Sequence, residues 1–191
     1  VANNILKFKG KKILVTICED IWGWPRKNNP GFSNYGQNPL LKVPRKGIDV
    51  VLNISASPFT DTKFANRRIV TKCTATHFKC PMVYVNMVGA QDELIFDGGS
   101  FAINAKGKVV AQCVRFAEEL NVFDLEPETG GIHELPENPH EILRQALVLG
   151  LRDFITKTGF KKVHLGLSGG VDSALVACLA ARDAGVVGVT I

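Results

Sequence analysis

Apolar residues along this chain fall in short β-branched runs, with two longer segments of helical spacing between and after them. Lys12–Ile17, "KILVTI", is short and continuous, as a buried strand should be. Asp49–Ser55, "DVVLNIS", and Met82–Val88, "MVYVNMV", repeat that pattern. Between the last two, Phe64–Lys79 sets Ala65, Ile69, Cys73 and residues 76–78 at roughly helical spacing, with basic residues on the other side. Strand, helix, strand predicts a layered α/β architecture. "GGSFAINAKGKVVAQC" predicts a hairpin turning at Asn104–Gly107, and Glu119–Phe123 one more strand.

The pattern then changes. Asp124–Asn138 holds two prolines, two adjacent glycines and five acidic residues, and predicts a linker or wrapping segment between domains. A helix is expected over Pro139–Thr158. Asn138 suits its N-cap, Pro139 its first position and Glu141 the place of a capping-box acid. Ile142, Leu143, Ala146, Leu147, Gly150, Leu151, Phe154 and Ile155 form a broad apolar stripe, and Gly159 is a natural stop. Strand Lys162–Leu167, a small-residue loop, helix Ser173–Asp183 and strand Val186–Ile191 complete one βαβ unit. Two strands do not make a stable sheet, so the chain is expected to be cut at both ends. The expected domains are 1–124 and 139–191, joined by a linker over 125–138.

Composition narrows the classes. A chain of 191 residues allows one large or two small domains. No apolar run approaches the ~20 residues that span a bilayer, so no membrane association is expected. "VANNILKFKGKK" lacks the apolar core of a signal peptide. The net charge of +5 suits an anionic ligand, but the basic residues are scattered, which argues against nucleic acid. Cys18, Cys73, Cys80, Cys113 and Cys178 are odd in number and contain no CxxC pair. Free, mostly buried thiols in a reducing cytoplasm are expected. The four histidines show no metal-ligand spacing, and both tryptophans read as packing residues.

Two segments carry candidate chemistry. "SGGVDS", Ser168–Ser173, lies between an expected strand and an expected helix. Gly169 and Gly170 permit positive φ and close approach to a ligand, and the loop amides and helix start can face one anion. Ser168 and Ser173 add hydroxyls. A carboxylate at Asp172 repels phosphate unless a cation stands between them, and Mg²⁺ is the natural candidate. The plain alternative is a glycine turn capped by Asp172 or Ser173. The second segment is "VTICEDIWGW", with Cys18 at the end of the first expected strand, where open α/β sheets gather ligands. A nucleophile needs that exposure and a base or cation beside it; a buried structural thiol is the alternative. "WGWPRKNNPGFSNYGQN" after it could form a lid or a mobile connection.

"GLSGGVDSA" resembles the phosphate loop of the N-type ATP pyrophosphatases, which bind ATP and transfer AMP to a substrate oxygen. "CEDIW", "VLNISASPF" and "YVNMVGAQDELIFDGGSFAINAKGKVV" resemble the second half of a nitrilase-type carbon–nitrogen hydrolase domain. The combination is similar to the glutamine-dependent NAD synthetase family. The resemblance implies the C-terminal half of an αββα layered domain, then the start of a doubly wound α/β domain. It implies Cys18 as nucleophile, with the following amide in the oxyanion hole, and Glu19, Ser57 and Lys63 as glutamine contacts. It implies ATP held along Gly166, Leu167, Ser168, Gly169, Gly170, Val171, Asp172 and Ser173, with Mg²⁺ on Asp172. Glutamine, ATP and nicotinic acid adenine dinucleotide are the implied substrates, in a cytoplasmic homo-oligomer. That family also uses an upstream Glu and Lys, which no residue here matches, and Glu19 is not promoted to that base. Two alternatives stand beside this reading. One is a GMP synthetase-type amidotransferase, against which Ile17 and Glu19 flanking Cys18 speak, since that type has a glycine-flanked Cys. The other is a catalytically incomplete fragment.

Overall fold

The computed structural model describes residues 4–24, 37–125 and 128–183. Its centre is a six-stranded sheet in the order β1-β2-β3-β4-β7-β8. The strands are β1 (Ile5–Phe8), β2 (Lys11–Ile17), β3 (Val50–Ser55), β4 (Met82–Asn86), β7 (Phe101–Ile103) and β8 (Val109–Gln112). β2, β3 and β4 are parallel, and β1, β7 and β8 add antiparallel neighbours. The runs 12–17, 49–55 and 82–88 therefore gave β2, β3 and β4 as expected, while β1 is only four residues long and was not read.

Alternation along β2–β4 sends Leu14, Val51, Met82 and Tyr84 into one core with Trp22, Leu40, Val70, Ala75 and Phe78. On the opposite face Ile17 is 63% exposed, and Ile54 and Val85 are also open. The strands were expected to be buried outright; among the described residues the second face is covered toward β8, where Val83 and Ala102 pack with Phe123 and Leu125, and is open on β2 and β3. The β7–β8 hairpin turns where expected. Asn104 Oδ1 accepts from the amides of Lys106 and Lys108, at 3.0 Å each, and Gly107 takes φ +79°.

Helix α1 (Lys63–Phe78) makes the crossover from β3 to β4, but its buried face differs from the expected one. Arg67, Val70, Thr71, Thr74, Ala75 and Phe78 are buried, whereas Ile69 is 43% exposed. The reason is polar satisfaction. Thr71 and Thr74 hydroxyls donate to the carbonyls of Arg67 and Val70 at 2.7 and 2.8 Å. Arg67 is held by an ion pair described below. Hydrophobic spacing cannot reveal a helix face made of paired polar groups.

A second, small sheet is the hairpin of β5 (Val88–Gln91) and β6 (Leu94–Asp97), which the expected strand 82–88 did not anticipate. Residues 119–123 form no strand. Instead β9 (Asp124–Leu125) pairs with β10 (Glu128–Thr129), and the chain then runs along β8, with Gln112 N donating to Gly131 O. The segment after Asp124 therefore wraps the sheet.

Helix α2 spans Pro139–Thr158, as expected, with Asn138 Oδ1 accepting from His140 N at 2.9 Å and Gly159 left-handed. Glu141 makes no capping box. Arg144 and Gln145 donate to its carboxylate, and those bonds hold its pKa down at about 2. Ala146, Val148 and Leu149 are buried, while Leu143, Leu147 and Phe154 of the expected stripe are exposed. The buried side packs on the β5–β6 hairpin through Phe59, Val88, Ile95 and Phe116. Residues 162–167 form no strand, because no described strand lies alongside to take their backbone hydrogen bonds. Helix α3 (Val171–Cys178) follows and runs on as a π-helical turn over Leu179–Asp183. The expected strand 186–191 and most of the expected lid, residues 25–36, lie outside the described residues.

Candidate active site

Cys18 closes β2 and opens a single 3₁₀ turn, Cys18–Ile21, with φ +43°. For a residue with a Cβ this left-handed conformation costs roughly 1–2 kcal/mol. The turn that enforces it is pinned by Asp20 Oδ2, which accepts from Ile17 N at 2.8 Å. The strand thus ends abruptly and presents a half-buried thiol at the carboxyl ends of the parallel strands. Among the described residues none hydrogen-bonds that thiol. The amide of Glu19 lies in the first turn, where a helical N–H has no partner of its own in the helix.

A row of polar side chains runs across the neighbouring strands. Thr16 stands opposite Asn53, and Asn53 opposite Tyr84. Thr16 Oγ1 donates to Leu52 O (3.0 Å), Asn53 Nδ2 to Thr16 Oγ1 (2.9 Å), and Ser55 Oγ to Asn53 Oδ1 (2.6 Å). Asn53 Nδ2 also reaches the Cys18 carbonyl at 3.4 Å. The left-handed turn is therefore tied from behind to the middle strand. Tyr84 is fully buried, and its hydroxyl completes no hydrogen bond. Burial raises its pKa, against a smaller opposing pull from the nearby Ser55 and Ser57 hydroxyls.

Ser57 follows β3 and is buried. Asn86 Oδ1 accepts from its amide at 2.9 Å, and Arg67 donates to its hydroxyl (3.2 Å) and carbonyl (2.6 Å). Since Arg67 can only donate, the Ser57 hydroxyl keeps its own proton to offer. Arg67 is 1% exposed and pairs with Asp97 Oδ1 at 2.6 Å, while Arg115 pairs with Asp97 Oδ2 at 2.9 Å. One fully buried carboxylate therefore bridges two guanidiniums. Asn53, Arg67, Asn86 and Asp97 all support the site and were missed from sequence. Asn86 interrupts the apolar run 82–88 and Asp97 ends the run 94–96, which was their one legible signal.

Lys63 is the first residue of α1, and its ammonium lies over the Trp22 ring, 5.6 Å from the centroid. Trp22 belongs to the core and Trp24 donates from Nε1 to Thr74 Oγ1 at 2.8 Å, so both tryptophans pack as expected. Glu19 is exposed beside the thiol. Cys18 and Glu19 thus follow β2, Ser57 follows β3 and Lys63 opens α1, all beyond the carboxyl ends of the parallel strands. Of the remaining cysteines only Cys80 is buried, contrary to expectation, and burial aided by Asp49 pushes its thiol up to about 11.

The other segment forms a compact exposed loop. Gly169 takes φ +81° and Gly170 caps α3. Ser168 Oγ and Ser173 Oγ lie 3.2 Å apart, Gly170 N donates to Ser168 Oγ at 3.4 Å, and Ser173 Oγ donates to Gly170 O at 3.0 Å. Neither Asp172 nor Ser173 caps the helix by its side chain at Gly170. Two hydroxyls and a helix start on one small concave turn fit a phosphoryl oxyanion. Among the described residues no group of three metal-ligating side chains occurs, so Asp172 could be only one ligand among others.

A cysteine at a left-handed strand end, above a polar row on parallel strands, defines an α/β fold with a candidate thiol nucleophile. The carbon–nitrogen hydrolase family model matches residues 34–131, just over half of the chain, and the chain belongs to that family. A second family model, NAD synthase, matches residues 143–189. Over 187 residues the chain is 42% identical to the glutamine-dependent NAD(+) synthetase of Synechocystis sp., covering 93% of this chain and 32% of that protein. Among solved structures it resembles glutamine-dependent NAD+ synthetase from Acinetobacter baumannii in complex with ADP. That match has a TM-score of 0.73 and 35% identity, over 94% of this chain and 32% of the other. It also resembles the glutamine-dependent NAD(+) synthetase from Cytophaga hutchinsonii, with a TM-score of 0.67, 26% identity, and 93% and 26% coverage. The chain spans about a quarter to a third of the length of these relatives.

Proposed function

We propose that this chain carries the cysteine half-site and the ATP loop of a glutamine-dependent NAD synthetase. The supporting observation is the joint placement of Cys18 at a strained strand end and of the Ser168–Ser173 loop at the start of α3, in one chain. The Cys18 sulfur attacks the side-chain amide carbon of glutamine. A thioester forms, ammonia leaves with the thiol proton, and water then releases glutamate. The Glu19 amide donates to the developing oxyanion. The Ser57 proton and the Lys63 ammonium orient the α-carboxylate end of glutamine, and Glu19 meets its ammonium. The Lys63 ammonium lies over the Trp22 ring, a contact that supports its placement for this role.

In the second step the run Gly166–Ser173 cradles the phosphates of ATP. Asp172 would hold Mg²⁺, which supplies charge neutralisation between the carboxylate and the phosphates. The carboxylate of nicotinic acid adenine dinucleotide takes AMP with loss of pyrophosphate, and ammonia displaces AMP to give NAD. The same reading expects a cytoplasmic homo-oligomer.

The test uses a protein of the relatives' full length carrying this sequence. Cys18→Ala should abolish glutamine-driven NAD formation and leave ammonia-driven formation within about twofold of the parent, since removing a nucleophile leaves the second site's chemistry untouched. Equal loss of both activities would overturn the division of labour. Measurable glutaminase activity from the 191-residue chain alone would exclude the incomplete-fragment reading.

A further inference from the structure

The Tyr84 side chain is fully buried, and its ring stacks on Phe101 at 5.3 Å with an interplanar angle of 24°. A phenylalanine would make that contact equally well. Among the described residues, the hydroxyl at the tip of the ring has no hydrogen-bond partner. Burying it carries a desolvation cost that nothing in the fold offsets, so the hydroxyl calls for a reason outside the fold. Its position supplies one. Tyr84 lies opposite Asn53, which lies opposite Thr16, so the three side chains share one face of adjacent strands. Burial raises the Tyr84 pKa, the Ser55 and Ser57 hydroxyls and the Arg67 charge pull it back, and Cys18 adds to the rise. The hydroxyl therefore stands among the groups that a ligand at Cys18 would meet.

Most of its polar neighbours are committed. Ser55 Oγ gives its proton to Asn53 Oδ1 at 2.6 Å. Ser57 N donates to Asn86 Oδ1 at 2.9 Å, and Ser57 O accepts from Arg67 Nη2 at 2.6 Å and from Asn86 Nδ2 at 3.4 Å. Ser57 Oγ accepts from Arg67 Nε at 3.2 Å. A serine hydroxyl has one proton and two lone pairs, so among the described residues one proton and one lone pair of Ser57 Oγ are uncommitted. That proton turns freely about the Cβ–Oγ bond and can face the Tyr84 oxygen as readily as a ligand. A donor on the remaining lone pair removes the choice, and the Tyr84 O–H is such a donor.

We propose that Tyr84 is a positioning residue of the glutamine site and acts through Ser57. When the Ser57 proton turns to the α-carboxylate of glutamine, the Tyr84 O–H donates to the remaining lone pair of Ser57 Oγ. Arg67 and Tyr84 then hold that oxygen from two sides, and its proton has only the ligand to face. The desolvation of the Tyr84 hydroxyl is offset on binding rather than on folding. This inference rests on the reading of Cys18, Ser57 and Lys63 as a glutamine site.

Steady-state kinetics on a protein of the relatives' full length carrying this sequence test it, with Tyr84→Phe as the variant. The KM for glutamine should rise about fivefold, the worth of one hydrogen bond, while kcat stays within about twofold of the parent. Ammonia-driven NAD formation and the denaturation midpoint should not fall, which separates the effect from lost packing. The α-amide of glutamine, measured as substrate or competing inhibitor, lacks the carboxylate charge, and Tyr84→Phe should change its affinity by less than about twofold. An unchanged KM for glutamine, in a parent whose glutamine-driven activity depends on Cys18, would overturn this inference alone. So would a loss confined to kcat, or an equal weakening of glutamine and its α-amide. A parent whose glutamine-driven activity survives Cys18→Ala would overturn the glutamine-site reading and this inference with it.

Discussion

Arg67 shows how a single residue can govern both stability and the site. It is buried to 1% exposure and spends its donors on Asp97, Ser57 and Pro58. Removing it leaves Asp97 with Arg115 alone and takes a donor from the buried Ser57 carbonyl and from the Pro58 carbonyl. Arg67→Met should therefore lower unfolding stability by about 3–5 kcal/mol, measured by chemical denaturation. Tyr84 is the opposite case. Its hydroxyl is buried without a hydrogen bond, while its ring stacks on Phe101 at 5.3 Å. Tyr84→Phe keeps the ring and removes the unsatisfied group, so stability should stay within about 1 kcal/mol of the parent or rise. A fall well beyond that in the same measurement would mean that the hydroxyl is satisfied in solution. Cys18 was legible from sequence because it follows an apolar run. Arg67 was not, since a lone arginine on an apparently basic helix face reads as solvated until Asp97, thirty residues further on, is seen beside it.

At the scale of elements, the three parallel strands, the 101–112 hairpin and the helix bounds were readable, and helix faces were not. The bounds of α2 follow from Asn138, Pro139 and Gly159, all local signals. Its buried side depends on what it meets, which is the unanticipated β5–β6 hairpin. That contact is also polar. Asp153 Oδ2 accepts from Ala90 N at 2.7 Å, and Lys157 Nζ donates to Ala90 O at 2.5 Å while pairing with Asp153 at 3.0 Å. Gly150 brings α2 close, since a Cβ there would stand 3.2 Å from Ile95 Cδ1. Asp153→Ala leaves the Ala90 amide without its acceptor, and a loss of about 1 kcal/mol is expected by thermal or chemical denaturation. Hydrogen exchange should speed up at Ala90 in the same variant, and an unchanged rate there would show that Asp153 does not hold this amide in solution.

Across the whole molecule, the carbon–nitrogen hydrolase sheet and the segment matching NAD synthase meet through α2. The order of the two units was legible because each has its own motif, "CEDIW" and "SGGVDS". The way they touch was not, because it rests on contacts between residues more than sixty positions apart. The expected strand 162–167 failed for a related reason: strand formation depends on a neighbour, whatever the local sequence prefers. The clasp at Ala90 has a consequence for how the chain behaves among its own copies. A two-stranded hairpin offers open edges on which another strand can add. Here Asp153 and Lys157 occupy the amide and carbonyl of Ala90 on β5, and Phe59 N occupies the carbonyl of Ile95 on β6 at 2.6 Å. Ending the chain at Asn138 would uncover β5, and light scattering should then report concentration-dependent self-association that the 191-residue chain resists. In that sense α2 is a guard against runaway strand addition as well as the first helix of its own unit.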